Sequence, residues 1–288
     1  MRKFSRLKVM RKIVVGITVV GKDKEGIVAS FTNFVFSMGG NIEKVNQNVI
    51  KGLFGMYLEV SFSKNINIQN FDLEIQKLAK KESMDVSIHH ESDSEKNIAV
   101  FVTKEPLCLE MILSKQKLLK GKISVIVGTE NTLSSIAKKA NIPFVHVNEK
   151  NQDAAEQKII EVCKKFNIDL IALARYMRIL TPNFVWRFPN RIINIHPSLL
   201  PAFPGAVAYA QAFERGTKIV GVTAHYVTEN LDQGPIILQD SFKVDPEDTL
   251  EVIKKKGQNL EAETLFKSVK MHLDNKLEVR WRKVHIKK

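Results

Sequence analysis

The stretch Arg191-Ile-Ile-Asn-Ile-His-Pro-Ser-Leu-Leu-Pro201 sets an amide and an imidazole two residues apart, at Asn194 and His196. Strand side chains alternate in direction, so residues two apart point to the same side and face one site. An amide donor beside an imidazole suits stabilisation of a developing oxyanion. A second stretch, Gly221-Val-Thr-Ala-His-Tyr-Val-Thr-Glu-Asn-Leu-Asp-Gln-Gly-Pro235, adds His225 and Asp232. A carboxylate such as Asp232 orients or deprotonates a nucleophile, and the set reads as an acyl-transfer site. Spacing alone does not bring Asp232 near His196. His225 shares a strand face with Thr223 and Val227, and reads at least as well as a buried structural histidine.

These residues need a sheet to hold them. From Ile98 onward, apolar strands alternate with helical patterns: Ile98–Val102, a helix from Pro106, Ile123–Val127, a helix after Asn131, Phe144–Val147, a helix over Asp153–Phe166, then Leu170–Leu173. Near-continuous apolar strands between helices predict an α/β domain with a mostly parallel sheet covered on both faces. Ligands in such sheets bind at the carboxyl ends of strands, where Asn194 and His196 fall. The turn-forming prolines and Gly205 predict an ordered loop just beyond. The first 90 or so residues read differently. Strand, helix, two strands around Lys51-Gly52, helix and strand give the order βαββαβ, a ferredoxin-like α+β unit. Its first helix is expected to be capped by Asp23 and stopped by Gly39-Gly40. His89 to Asn97 is polar and unperiodic and reads as a linker, which sets domains at 10–91 and 97–288.

Composition narrows the chemistry. Two cysteines, Cys108 and Cys163, form no Cys-x-x-Cys pair and lie on apolar helical stripes, so they read as core residues in a reducing, cytoplasmic protein. His89-His90-Glu91 lacks further ligands at tight spacing, and no metal is expected. Neither Gly-x-Gly-x-x-Gly nor a phosphate-loop motif follows the first α/β strand, where Thr103-Lys-Glu-Pro106 stands. Gly-x-Ser-x-Gly is missing too. The net charge of +13 asks for anionic partners, yet the basic residues gather at the two ends and at Lys254-Lys255-Lys256 without a nucleic-acid motif. Nucleic acid is therefore not expected as a partner. No apolar run reaches the roughly 20 residues a membrane helix needs, and none of the expected features involves a membrane.

Asn-Ile-His-Pro-Ser-Leu-Leu-Pro, Thr-Ala-His-Tyr-Val and Leu-Asp-x-Gly-Pro-Ile-Ile together resemble the folate-dependent formyltransferase fold. With Leu173-Ala-Arg-Tyr-Met-Arg-Ile-Leu180 and an amino-terminal region resembling an ACT domain, through Asp23-Lys-Glu-Gly-Ile27 and Gly39-Gly-Asn-Ile42, the chain is most similar to the formyltetrahydrofolate deformylases. The resemblance implies hydrolysis of 10-formyltetrahydrofolate to formate and tetrahydrofolate, with folate as substrate and no cofactor. It implies Asn194, His196 and Asp232 as the catalytic set. It also implies that Arg175, Tyr176, Met177 and Arg178, with Leu231 and Gly234, hold the folate, largely through backbone groups. Arg178 is the candidate for a folate carboxylate, and positive charge would favour a polyglutamylated tail. The ACT-like region implies either an amino-acid effector near Asn41 or a dimerising scaffold, and a homo-oligomer.

One departure keeps a second reaction open. Deformylases read His-His-Ser-Phe-Leu, whereas His196-Pro-Ser-Leu-Leu200 is the form of glycinamide ribonucleotide formyltransferase. Against transfer to that amine, the transferase's glycine-rich phosphate loop is replaced by Thr103-Lys-Glu-Pro106, and its paired histidines by Ala206-Val-Ala-Tyr209.

Overall fold

The computed structural model describes residues 13–63, 66–90, 94–202 and 207–287. The basic start, Gly205, Ala206 and the boundary positions 10 and 91 lie outside the described residues. The chain divides into two units, one up to residue 93 and one from Ser94.

The first unit runs β1 (Ile13–Lys22), α1 (Ile27–Ser37), β2 (Asn41–Ile50), β3 (Leu53–Phe62), α2 (Ile68–Glu82) and β4 (Asp85–His90). The sheet is antiparallel in the order β2-β3-β1-β4. Phe31 and Val35 from α1 and Phe71 and Ile75 from α2 bury against Ile17, Leu58 and Val60, so both helices cover one face. Two expectations change. The residue preceding α1 is Gly26 at φ 83°, with no side-chain cap, so Asp23 does not cap this helix. His89 and His90 belong to β4 instead of a linker, because their backbones pair with Gly16 and Val15. His90 Nε2 lies 3.0 Å from Asp72 Oδ2.

The second unit runs β5 (Lys96–Val102), α3 (Leu107–Ser114), β6 (Gly121–Gly128), α4 (Ser134–Lys139), β7 (Phe144–His146), α5 (Gln152–Lys165), β8 (Leu170–Ala174), α6 (Pro182–Val185), β9 (Ile192–His196), α7 (Ala208–Glu214), β10 (Ile219–Tyr226), β11 (Ile236–Lys243), α8 (Leu250–Leu273) and a hairpin, β12 (Leu277–Arg280) and β13 (Lys283–Ile286). Its seven-stranded sheet has the order β11-β10-β9-β8-β5-β6-β7. The pairs from β9 to β7 are parallel, while β10 and β11 are antiparallel to their neighbours. Alternation sorts the strand residues between two layers. Val100, Ala172 and Ile193 pack under α3 and α8, whereas Phe101, Ile171 and Ile192 pack under α5 and α6. Both cysteines sit in these cores; burial raises the Cys108 thiol and pushes the Cys163 thiol up to about 12.

The chain leaves β5 for β6 and β7 on one side and returns to β8 on the other. The strand order therefore reverses between β5 and β8, the switch point where open α/β sheets form a crevice beyond their carboxyl ends. Two connections line it, residues 103–106 after β5 and 175–181 after β8.

Candidate active site

Asn194 and His196 end β9 on the face shared with Ile192, as the period of two requires. β10 runs antiparallel beside it with His225 opposite Asn194, so the two side chains meet. Asn194 Nδ2 lies 3.3 Å from His225 Nε2. The other ring nitrogen, Nδ1, is 2.9 Å from the Tyr226 carbonyl and donates to it. With its proton on Nδ1, the ring accepts the Asn194 amide hydrogen at Nε2. Burial holds the His225 pKa below the ordinary imidazole range, which favours this neutral form.

Asp232 arrives from the connection between β10 and β11. The backbone crosses into the left-handed region at Asp232, with φ 55°. Two residues later, Gly234 lies so close to β10 that a Cβ would fall 1.7 Å from the Tyr226 carbonyl oxygen. Only glycine permits that approach, and it fixes the loop over the end of β9. The Asp232 carboxylate then sits 3.3 Å from His196 Nδ1 through Oδ2 and 3.8 Å from His225 Nε2 through Oδ1. The His196, His225 and Asp232 side chains are each at most 8% exposed, so the pairings act in a medium that screens charge poorly.

The loop after His196 is anchored by Thr223, which donates to the Ser198 carbonyl at 2.7 Å and accepts from Leu200 N–H at 3.0 Å. Leu200–Pro201 is a cis peptide. The segment 175–181 is irregular but well tied. Met177 N–H donates to Thr103 Oγ1 at 3.0 Å, and Arg178 Nη2 to the Glu149 carbonyl at 2.9 Å. The buried Glu156 accepts Thr181 N–H at 2.7 Å, and Gln152 Nε2 bridges Glu156 to the Ile179 carbonyl. Tyr176 packs its ring 5.4 Å from Phe101, and burial pushes its hydroxyl up to about 12. Met177, Ile179 and Leu231 are exposed on the two loops beside the polar residues, an apolar rim fit for a flat ring system.

Among the residues expected from sequence, Asn194, His196 and Asp232 converge directly or through His225. Leu231 and Gly234 belong to the Asp232 loop. Met177 and Arg178 line the 175–181 segment, with Arg178 Nη2 engaged on Glu149. Arg175 turns its guanidinium toward Glu261, with Nη1 3.2 Å from Oε2. Sequence reasoning read His225 at least as well as a buried structural histidine and left it out of the catalytic set. The signal available was its parity, because a strand antiparallel to β9 with Thr223 facing the loop puts His225 on the Asn194 side.

Comparison with known proteins identifies the family of the chain. Residues 96–269 match the formyl transferase family model and residues 13–89 the ACT domain model. A formyltetrahydrofolate deformylase of Bacillus subtilis is 38% identical over 265 residues, 89% of this chain and 88% of that protein. The chain belongs to the formyltetrahydrofolate deformylase family. The crystal structure of a family member from Pseudomonas syringae superposes with a TM-score of 0.66 at 29% identity, covering 98% of this chain and 96% of that one. The second unit alone also resembles glycinamide ribonucleotide transformylase 1 from Symbiobacterium toebii, with a TM-score of 0.65 and 30% identity over 69% of this chain and 97% of that one. The deformylase family is thus the transformylase fold with an ACT domain in front.

Proposed function

We propose that the protein hydrolyses 10-formyltetrahydrofolate to formate and tetrahydrofolate. The observation that carries this reading is the Asp232 carboxylate 3.3 Å from His196 at the end of β9, beside an Asn194 whose amide is oriented by His225. Asn194 keeps a second amide hydrogen for the formyl oxygen, and His196, held at Nδ1 by Asp232, offers Nε2 to the same oxygen. Asp232 accepts a proton from water as the water oxygen bonds to the formyl carbon. The bond from that carbon to the folate nitrogen then breaks, the nitrogen takes up the proton, and formate leaves. The pterin is read as lying on the 175–181 segment and the Asp232 loop, with Arg178 toward a folate carboxylate. No cofactor is needed for these steps.

The ACT domain is read as the seat of a small amino-acid effector or as a dimerising scaffold. A cavity of about 470 Å3 lined by Asp23, Lys24, Gly26, Ile27, Gln47 and Phe54 is a candidate for the effector; it lies toward the opposite end of β2 from Asn41. A homo-oligomer in a reducing cytoplasm completes the reading, and no helix among the described residues is long and apolar enough to cross a membrane. Purified protein given 10-formyltetrahydrofolate alone should release formate. Formylated amine formed when an amine acceptor is present, with no formate released in its absence, would instead establish the transferase reading, which His196-Pro197 and the transformylase likeness favour.

A further inference from the structure

Beneath the proposed hydrolytic site lies a buried charged cluster that the steps above do not use. Arg175 follows directly on β8, whose last partner on β9 is Asn194 opposite Leu173. Glu261, the partner of Arg175, lies close enough to His196 for charge on that ring to act on its carboxylate. Arg175 sits at φ 61°, where the chain turns out of β8. Its guanidinium meets Glu261 on the α3 and α8 side of the sheet at 3.2 Å. Glu261 is fully buried and receives a second hydrogen bond, from Tyr209 Oη at 2.6 Å. Tyr209 is itself wedged against α8, where a Cβ on Gly257 would meet its ring at 2.3 Å.

Arg175 and Glu261 line the crevice at the switch point, where doubly wound sheets ordinarily admit ligands, and Tyr209 holds Glu261 from behind. What remains open, among Glu105, Leu107, Cys108, Arg175, Gln258 and Glu261, is a hole of about 10 Å3. That is about the space of one water. Arg175 Nε is buried at this hole without a hydrogen-bond partner and would donate to such a water. The carboxylate is costly to bury, and burial raises its pKa despite Arg175 beside it. A helix serving only to cover a sheet gains nothing from it.

We infer that Arg175, Glu261 and Tyr209 form a plug that sets the choice of nucleophile: it closes the second approach to the formyl carbon to anything much larger than water. This rests on the hydrolase reading and deepens it. With water, the oxygen bonds to the formyl carbon, the carbon–nitrogen bond to folate breaks and one water proton goes to the folate nitrogen. With a primary amine the same balance holds, the amine nitrogen forming the new bond and giving up the proton. The plug therefore decides between formate and a formamide without changing the chemistry.

The test offers wild-type enzyme 10-formyltetrahydrofolate with hydroxylamine, methylamine or glycinamide, and measures formate and formylated amine against a blank without enzyme. Wild type should formylate glycinamide at under a hundredth of its formate release, and the small nucleophiles more readily. Glu261→Ala and Tyr209→Ala should raise the glycinamide-to-formate ratio at least tenfold. Glu261→Gln, which keeps the volume and an acceptor oxygen, should restore the wild-type ratio. Folded, active alanine variants with an unchanged ratio would overturn the plug while leaving the hydrolase reading intact. If those variants fail to fold, the wild-type size series decides: glycinamide formylated as readily as hydroxylamine overturns the plug. Wild type that formylates glycinamide and releases no formate overturns both.

Discussion

Asn194 owes its direction to its partner. Because the His225 ring gives its one proton to the Tyr226 carbonyl, its remaining nitrogen holds the Asn194 amide with a hydrogen outward. Replacing Asn194 by Ala removes one oxyanion donor and should cost roughly 10² to 10³ in kcat by steady-state formate release. Asp232→Asn should cost about 10³ or more in kcat with little change in KM, since it removes the proton acceptor and leaves the folate contacts. His225→Gln should fall between wild type and those two variants; a loss equal to that of Asp232→Asn would place the ring in the chemistry itself. The pH dependence has a definite sign. His225 is neutral in the working site and its pKa is lowered, so the site stays intact through pH 6.5 and loses activity only below it, as protonation takes away the acceptor for Asn194. In a kcat profile, the His225→Gln variant should lose that acid limb. Asn194 and His196 were legible as a pair because strand parity is local. Asp232 was not, since its place depends on Gly234 closing against a strand eight residues earlier. Glu261 was invisible for a related reason: in the polar run Gln258-Asn-Leu-Glu-Ala-Glu263, nothing marks which carboxylate faces inward.

At the scale of elements, α8 does more than cover the sheet. It carries Glu261 under the site and His272 against β10, where the ring lies 2.7 Å from Tyr226 Oη. Burial, with Arg191 and Lys96 nearby, lowers His272 to about 4. A histidine held neutral in the fold but free to protonate when unfolded favours the folded state above pH 6.5, and that advantage shrinks as pH falls toward 4. Thermal midpoints taken from pH 7 to 4.5 should fall, and His272→Gln should flatten the slope. Gly257→Ala sets two effects against each other. Alanine in a helix interior is worth about 1 kcal/mol over glycine, but overpacking typically costs about 1–3 kcal/mol, and here the new methyl meets the Tyr209 ring. The clash should win, lowering the thermal midpoint and loosening Tyr209 from Glu261. Helices and strands themselves were largely readable from apolar periodicity. The exceptions have local causes: Gly26 in the left-handed region replaces Asp23 at the start of α1, and β4 extends through His90 because β1 offers it backbone partners.

The whole molecule carries a net charge of +13, and its substrate class is anionic. If positive potential draws in the folate tail, KM for a pentaglutamyl substrate should lie below that for the monoglutamyl one, and the gap should narrow between 20 and 300 mM salt as screening shortens. A gap unchanged by salt would point to direct contacts instead. The division into an ACT unit and a formyl transferase unit was legible from the change of pattern near residue 90, because each half has its own periodicity. Both native thiols are enclosed in the second unit's cores, with ionisation suppressed. A maleimide probe should therefore find no reactive sulfur on the native fold, so a lone Trp281→Cys substitution, at a hairpin tip 94% exposed, would accept a fluorophore against a dark background.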